Sequence, residues 1–195
     1  MAAKRIETLR AFVALDLDPM SLRRVTRVSD RLRMGSGAPR ASWTPGSKLH
    51  VTLKFMGELP ATAVATLTKA LGALVEGLAA PAPSALRLEA FPSLKEASVI
   101  VVELLDESGG IAKLAAKIDK LTAKHGVPRE TRAFRPHVTL ARLSRPYDAS
   151  RWVRPELTEG AGACHASSLT LYRSDPGDEG STYTPLARFD LGPPG

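Results

Sequence analysis

His50-Val51-Thr52-Leu53 recurs 87 residues later as His137-Val138-Thr139-Leu140. Each copy has the composition of a β-strand, in which successive side chains point to opposite faces. His and Thr, two apart, therefore share one face, and Val and Leu share the other. Each strand presses its aliphatic pair into a core and holds an imidazole and a hydroxyl out together. A single H-x-T carries almost no information; two copies in strand-like surroundings carry a good deal.

The repeat extends beyond the phrase. At the same offset, Phe12-Val13-Ala14-Leu15-Asp16 falls on Val99-Ile100-Val101-Val102-Glu103. Both are apolar strands ending in an acid, and both are followed by a basic amphipathic helix, a loop and an H-V-T-L strand. The helical apolar positions coincide only with about two residues inserted, so the duplication is one of structure rather than of close sequence. Strand–helix–strand twice over predicts an α+β fold. Residues 1–195 are expected to form a single bilobal domain, two pseudo-symmetric lobes of mainly antiparallel sheet with outer helices. Twofold symmetry then brings the two His phrases face to face across a groove.

The rest of the chain fits this frame. Arg10 to Leu17 reads as the first strand, and Asp18-Pro19 as a helix start, a cap followed by proline at the first helical position. Leu22, Val25, Val28 and Leu32 form the inner face of that helix, Arg23, Arg24, Arg27 and Arg31 its outer face, with Gly35 as the stop. The first His strand spans about Lys48 to Met56. Pro60 is expected to open a second helix with Val64, Leu67, Leu71, Leu74 and Leu78 inward. Leu86–Phe91 and Val99–Leu105 read as strands. A third helix carries Ile111, Leu114, Ile118 and Leu121 inward and Lys113, Lys117, Lys120 and Lys124 outward. The second His strand runs to about Leu143, residues 145–160 are irregular or a short helix around Trp152, and two strands (168–172 and 181–190) close the chain before a Gly192-Pro193-Pro194-Gly195 tail.

Composition excludes several classes. Hydrophobic content of 44% with 24% charged residues is that of a soluble globular chain. No apolar run approaches the roughly 20 residues of a membrane span, and Met1 to Glu7 has no apolar leader region. One cysteine, Cys164, excludes an internal disulfide framework and a cysteine-based zinc site. A cytoplasmic protein is expected. The net charge is +7, and 18 of the 27 basic residues are Arg, whose planar fork suits phosphate. Between Arg129 and Arg154 lie seven arginines against two carboxylates, Glu130 and Asp148, a net of five positive charges around the second His phrase. The expected partner is a polyanion.

Two imidazoles flanking a groove are the parts of general acid–base catalysis, since one can be charged and one neutral near pH 7. On a phosphodiester, the neutral ring takes a proton from the attacking oxygen and the charged ring gives one to the leaving oxygen. The Thr hydroxyls can hydrogen-bond the non-bridging oxygens where charge grows. This scheme needs no metal and no cofactor, and a zinc site would lack an obvious third ligand. His125-Gly126 fits a helix end and His165 lies in no recognisable site spacing; both read as structural.

These residues resemble the two-histidine (2H) phosphoesterase superfamily, defined by two H-x-T/S motifs, and within it the RNA 2′,3′-cyclic phosphodiesterases historically called 2′-5′ RNA ligases. The resemblance covers about residues 8–190. It includes RAFVALDL (10–17), the Trp43–Gly57 stretch around LHVTLKFMG, FRPHVTLAR (134–142), LYRS (171–174) and YTPLARF (183–189). It implies a site in the groove between lobes and hydrolysis of an RNA 2′,3′-cyclic phosphate to a 2′-phosphomonoester, with 2′-5′ ligation as the reverse. His50 would be the proton donor to the 3′ oxygen, His137 the acceptor that activates water, and Thr52 and Thr139 the phosphate ligands. Arg142 sits where the family has an arginine near the nucleotide, and Arg135 is a second candidate for contacting RNA. Strict strand alternation puts Arg142 on the face opposite His137, so only a bulge would bring it round. The substrate would be RNA with a cyclic phosphate end, tRNA fragments among the candidates, and the protein a monomer.

Two other readings share these residues. The same site could act on small cyclic nucleotides or 2′-5′ oligonucleotides. A module that binds RNA without turning it over could keep the basic groove, although damage to one His motif would be expected there and both are intact.

Overall fold

The computed structural model of the chain describes residues 7–178 and 180–193. Met1–Ile6, most of the stretch read as lacking a leader, lie outside the described residues, as do Glu179 of the acidic loop and Pro194-Gly195 of the tail. Eight strands and three helices follow in the order β1 (Thr8–Leu17), α1 (Pro19–Met34), β2 (Ala41–Trp43), β3 (His50–Pro60), α2 (Ala63–Val75), β4 (Ala85–Phe91), β5 (Ala97–Leu105), α3 (Gly110–Ala123), β6 (His137–Tyr147), β7 (Ala166–Asp175) and β8 (Thr182–Asp190). One 3₁₀ turn (Gly46–Lys48) leads into β3 and another (Pro155–Thr158) lies between β6 and β7.

The strands form one sheet, ordered β4-β5-β6-β3-β1-β7-β8, with β2 added alongside β6. Every pairing in it is antiparallel. The α+β class and the two lobes are as the repeat implies, and the pseudosymmetry is visible in the order itself. β4-β5-β6 on one side answers β7-β1-β3 on the other, and the centre is the contact of β3 with β6. That contact is a single residue pair, Val51 with Val138. The two strands overlap only at their starts and then run apart, each into its own lobe.

Alternation along the strands decides which face is core. Val51, Leu53, Val138 and Leu140 are buried in one cluster with Val13 and Leu15 of β1, Val25, Val28 and Leu32 of α1, and Ile111, Leu114 and Ile118 of α3. The helices thus cover the face away from the histidines. The cap of α1 is as expected, the Asp18 carboxylate accepting from the Ser21 amide at 2.6 Å. The α3 start is held similarly, Asp106 accepting from the amides of Gly110 and Ile111 at 3.1 and 2.7 Å.

One expected boundary is corrected. Pro60 does not open α2 but ends β3, paired with Thr8 of β1, and the helix begins at Ala63. Proline lacks an N–H and is compatible with the last position of a strand as well as the first turn of a helix; the long β1 partner decides between them. β6 also runs four residues past Leu143, because β5 pairs with it as far as Tyr147. Among the described residues, no helix is long and apolar enough to cross a membrane.

Candidate active site

The Val51–Val138 pair gathers the site. Carrying that antiparallel register one residue either way sets His50 opposite Thr139 and Thr52 opposite His137. All four side chains stand on the side opposite the aliphatic pairs, and all four line one cleft of about 640 Å³, whose wall also includes Ala112, Ala115, Ala116 and Asp119 of α3. Thr44, Lys48, Phe55, Phe91 and Tyr183 line it too, together with the loop between α3 and β6, which brings Arg129, Arg132 and Arg135.

Both imidazoles are held alike. His50 Nδ1 lies 2.8 Å from the Lys48 carbonyl, and His137 Nδ1 lies 2.7 Å from the Arg135 carbonyl, two residues back in each case. A carbonyl only accepts, so Nδ1 carries the hydrogen in both rings. That leaves Nε2 to gain or lose a proton. His50 Nε2 sits 3.0 Å from the Thr52 hydroxyl.

The surroundings of the rings differ. His50 stacks on Phe12, centroids 5.0 Å apart at 27°, and meets Tyr183 edge-on at 5.5 Å. Burial among these aromatics pushes its pKa below the ordinary histidine value; the Lys48 carbonyl and the Asp16 carboxylate oppose that shift, and the neighbouring His137 adds to it. His137 has one aromatic neighbour among the described contacts, Phe91, edge-on at 5.4 Å.

Arg142 is brought into the cleft. In the β5–β6 ladder Ile100 pairs with Ala141 but Val101 pairs with Thr139, so Leu140 is an extra residue in β6. Such a bulge breaks the alternation by one: Leu140 and Ala141 are both buried, and Arg142 returns to the side of His137. The same device recurs in β3, where Val13 pairs with Lys54 and Ala14 with Thr52, leaving Leu53 extra. There the residue returned to the cleft is Phe55, 69% exposed. Phe55 and Arg142 are thus equivalent positions in the two halves.

Arg135 also lines the cleft, but its guanidinium bonds Glu103 at 2.9 Å and lies over the Phe91 ring, 5.0 Å from the centroid. The hydrogen bond from Arg135 holds the Glu103 carboxyl below its usual range, against burial, with Arg87 assisting. His125 and His165 are absent from the cleft lining. Among the described residues no three His, Cys, Asp or Glu side chains gather as a metal site would require.

Sequence reasoning missed Phe55, Phe91, Tyr183, Arg129 and Arg132 as cleft residues. For Phe55 and Arg142 the signal is the two-residue step after each H-x-T. For the loop arginines the cluster of positive charge already marked the region, without saying which side chains face the cleft.

A family model described as "2′-5′ RNA ligase superfamily" matches residues 18–178. The chain belongs to that superfamily, the two-histidine phosphoesterases. Among its curated relatives in the superfamily are proteins named RNA 2′,3′-cyclic phosphodiesterase. That of Methanothermobacter thermautotrophicus is 25% identical over 94% of this chain and 99% of the relative. That of Escherichia coli K12 is 28% identical over 95% and 98%. A third, from Geobacillus stearothermophilus, is 26% identical over 92% of this chain but only 56% of its own length. Among solved structures, TT0787 of Thermus thermophilus superposes with a TM-score of 0.78 at 25% identity, covering 95% of this chain and 99% of that one. Escherichia coli LigT complexed with 3′-AMP gives 0.71 at 23% identity with the same coverage. The two-lobed α+β fold of this superfamily member is therefore shared with solved relatives.

Proposed function

We propose that this protein hydrolyses RNA 2′,3′-cyclic phosphate ends to 2′-phosphomonoesters by metal-independent acid–base catalysis, with residues 1–195 acting as one bilobal domain. The observation that carries the reading is the pair of imidazoles across the Val51–Val138 seam, each with Nδ1 fixed on a backbone carbonyl, in one cleft with two Thr hydroxyls. In the proposed reaction, His137 Nε2 takes a proton from a water molecule as its oxygen attacks phosphorus. The bond from phosphorus to O3′ breaks, and His50 Nε2 delivers its proton to that oxygen. The Thr52 and Thr139 hydroxyls donate to the non-bridging oxygens, where they count most as charge accumulates. Arg142 and the loop arginines supply positive charge for the RNA backbone.

The names of the relatives support this substrate class, as does the positive cleft wall. With the 5′ hydroxyl of a second RNA attacking in place of water, the same groups would join RNA ends through a 2′-5′ linkage, and tRNA halves are one candidate substrate. A cytoplasmic monomer fits the reading.

The test is an RNA with a 2′,3′-cyclic phosphate end, with the 2′- and 3′-phosphate products resolved, alongside a mononucleotide 2′,3′-cyclic phosphate and a 2′-5′ dinucleotide. The 2′-phosphate is expected, in EDTA as without it. His50→Ala and His137→Ala should each cost about 10²–10⁴ in rate, and the double variant little more, because the pair acts as a unit. Full activity in His137→Ala, or a 3′-phosphate product, refutes the assignment of roles. RNA binding without product would leave only a binding module.

A further inference from the structure

The acid that ends each duplicated strand has no part in the scheme above. Asp16 and Glu103 are 87 residues apart and occupy the same place in the two halves. Each is the cross-strand partner of a cleft histidine: Asp16 pairs with His50, and Glu103 with His137. Residues directly opposite in an antiparallel ladder share a face, with Cβ atoms about 5 Å apart. Each imidazole therefore has a carboxylate as its neighbour behind the cleft.

The two carboxylates keep different company. Asp16 accepts hydrogen bonds from three neutral hydroxyls on β7, Ser168 at 2.9 Å, Thr170 at 2.6 Å and Tyr172 at 2.8 Å. These satisfy the oxygens without cancelling the charge. Burial, with Asp16 assisting, pushes the Tyr172 phenol up to about 12, so it stays a donor. Glu103 instead accepts from two guanidinium groups, Arg87 on β4 and Arg135. Among the described residues Asp16 makes no ion pair, whereas behind His137 two carboxylates, Glu103 and Glu89, pair with two guanidiniums, Arg87 and Arg135, and leave no net charge.

We infer that these two inherited acids divide the labour between the histidines: Asp16, held by hydroxyls and unpaired with any cation, favours the charged form of His50, the acid, while Glu103, held by Arg87 and Arg135, does not do the same for His137, the base. The inference rests on the proposed acid–base reading and names what makes the halves unequal. The other charged or titratable groups around Asp16 and His50 are Lys48, Tyr172, Tyr183, His137 and Arg188 of β8. Those facing His137 are Arg135 and Arg142 on its own strand and approach, Arg87 and Glu89 on β4, and His50. On the His50 side the cations are Lys48, which donates to the Ser181 carbonyl, and Arg188 of β8, the cross-strand neighbour of Thr170 that pairs with Asp190 at 3.5 Å; the others lie on the His137 side.

The test reads each ring separately, by NMR titration of the histidine side chains in the full chain, with a pH–rate profile on the cyclic-phosphate RNA. Asp16→Asn keeps an acceptor for the hydroxyls and removes the charge. The His50 midpoint is expected to fall by about one pH unit, the size of losing a unit charge at this range, with the His137 resonances unmoved. Arg87→Gln, at a side chain outside the cleft lining and half exposed, is expected to move the His137 midpoint upward and leave that of His50 in place. In the rate profile, Asp16→Asn should shift only the alkaline limb, to lower pH, and Arg87→Gln only the acid limb, to higher pH. A network that merely held strands together would move neither midpoint. Unmoved midpoints in both variants, or the same ring moving in both, overturn the inference whether or not RNA ends are hydrolysed. Midpoints that move as stated in a protein inactive on every cyclic phosphate uphold the charge division and remove the proposed reaction instead.

Discussion

Replacing Asp119 by Asn tests how the cleft wall is anchored. Asp119 lies on α3 and its side chain is only 12% exposed, against Lys54 of β3 at 6%, with 2.7 Å between them. It also accepts from the Glu130 amide at 3.0 Å and from the Arg129 guanidinium, so one carboxylate ties the loop carrying Arg129 and Arg132 to the sheet. Burial pushes the carboxyl up, but Lys54, the Glu130 amide and Arg129 outweigh it and bring the pKa from 3.8 down to about 2. Because the folded value lies below the unfolded one, the stabilisation is present above about pH 4 and is lost as pH falls through about 2. That difference amounts to about 2 kcal/mol. Arg129 is 60% exposed, so most of the weight rests on Lys54.

At neutral pH, Asp119→Asn leaves a buried ammonium without its counter-charge, which costs about 3–5 kcal/mol. In a chain of this size that lowers the melting temperature by roughly 10 °C. Urea denaturation at pH 7 and pH 3 checks both statements, since the variant should lose less stability between them than the parent does, by the share that Asp119 contributes. The double variant Lys54→Met/Asp119→Leu removes both charges and should recover most of the loss, because the damage comes from the orphaned charge rather than from the absent bond. A single variant that loses less than about 1 kcal/mol, or a double variant as unstable as the single, would refute the reasoning.

Arg142→Ala should leave stability within about 0.5 kcal/mol, as for other exposed side chains, while weakening RNA turnover and flattening its salt dependence; circular dichroism melts and steady-state rates at two salt concentrations check this. Phe55→Ala removes a 69% exposed ring that faces the cleft. If a base stacks on it, the loss is about 1–3 kcal/mol of binding, read as a raised KM for RNA with kcat nearly unchanged, and an unaltered KM would exclude that contact.

Much of this fold is legible because the informative residues obey local rules. The alternation in H-V-T-L assigns the faces without further help, and Asp18-Pro19 marks the start of α1 by chemistry confined to four residues. The errors arise where a distant strand decides. Pro60 is acceptable to helix and strand alike, and only its pairing with Thr8 makes it strand. Arg142 is misplaced by simple alternation because a bulge depends on the ladder opposite, although the two consecutive apolar residues after Thr139, Leu140-Ala141, hint at it. The grouping of His50, Thr52, His137 and Thr139 follows from the repeat, but the repeat does not reveal that one pair, Val51 with Val138, joins the halves into a continuous sheet. Nor does it reveal that a hydroxyl trio surrounds one acid and two guanidiniums the other, since those partners come largely from β4 and β7, outside the duplicated segments.

The Val51–Val138 seam has the geometry of an isologous contact, the kind a dimer makes about a twofold axis, folded into one polypeptide. Across such an axis every relation is reciprocal: what His50 is to Thr139, His137 is to Thr52. Nothing on the axis can tell one histidine from the other. Any inequality of behaviour must therefore be written at mismatched positions away from it, and within the duplicated segments these include Asp16 against Glu103, Phe12 against Val99, Lys54 against Ala141 and Phe55 against Arg142. Exchanging the members of one such pair between the halves, while leaving both HxT phrases untouched, amounts to turning the molecule over in front of its substrate.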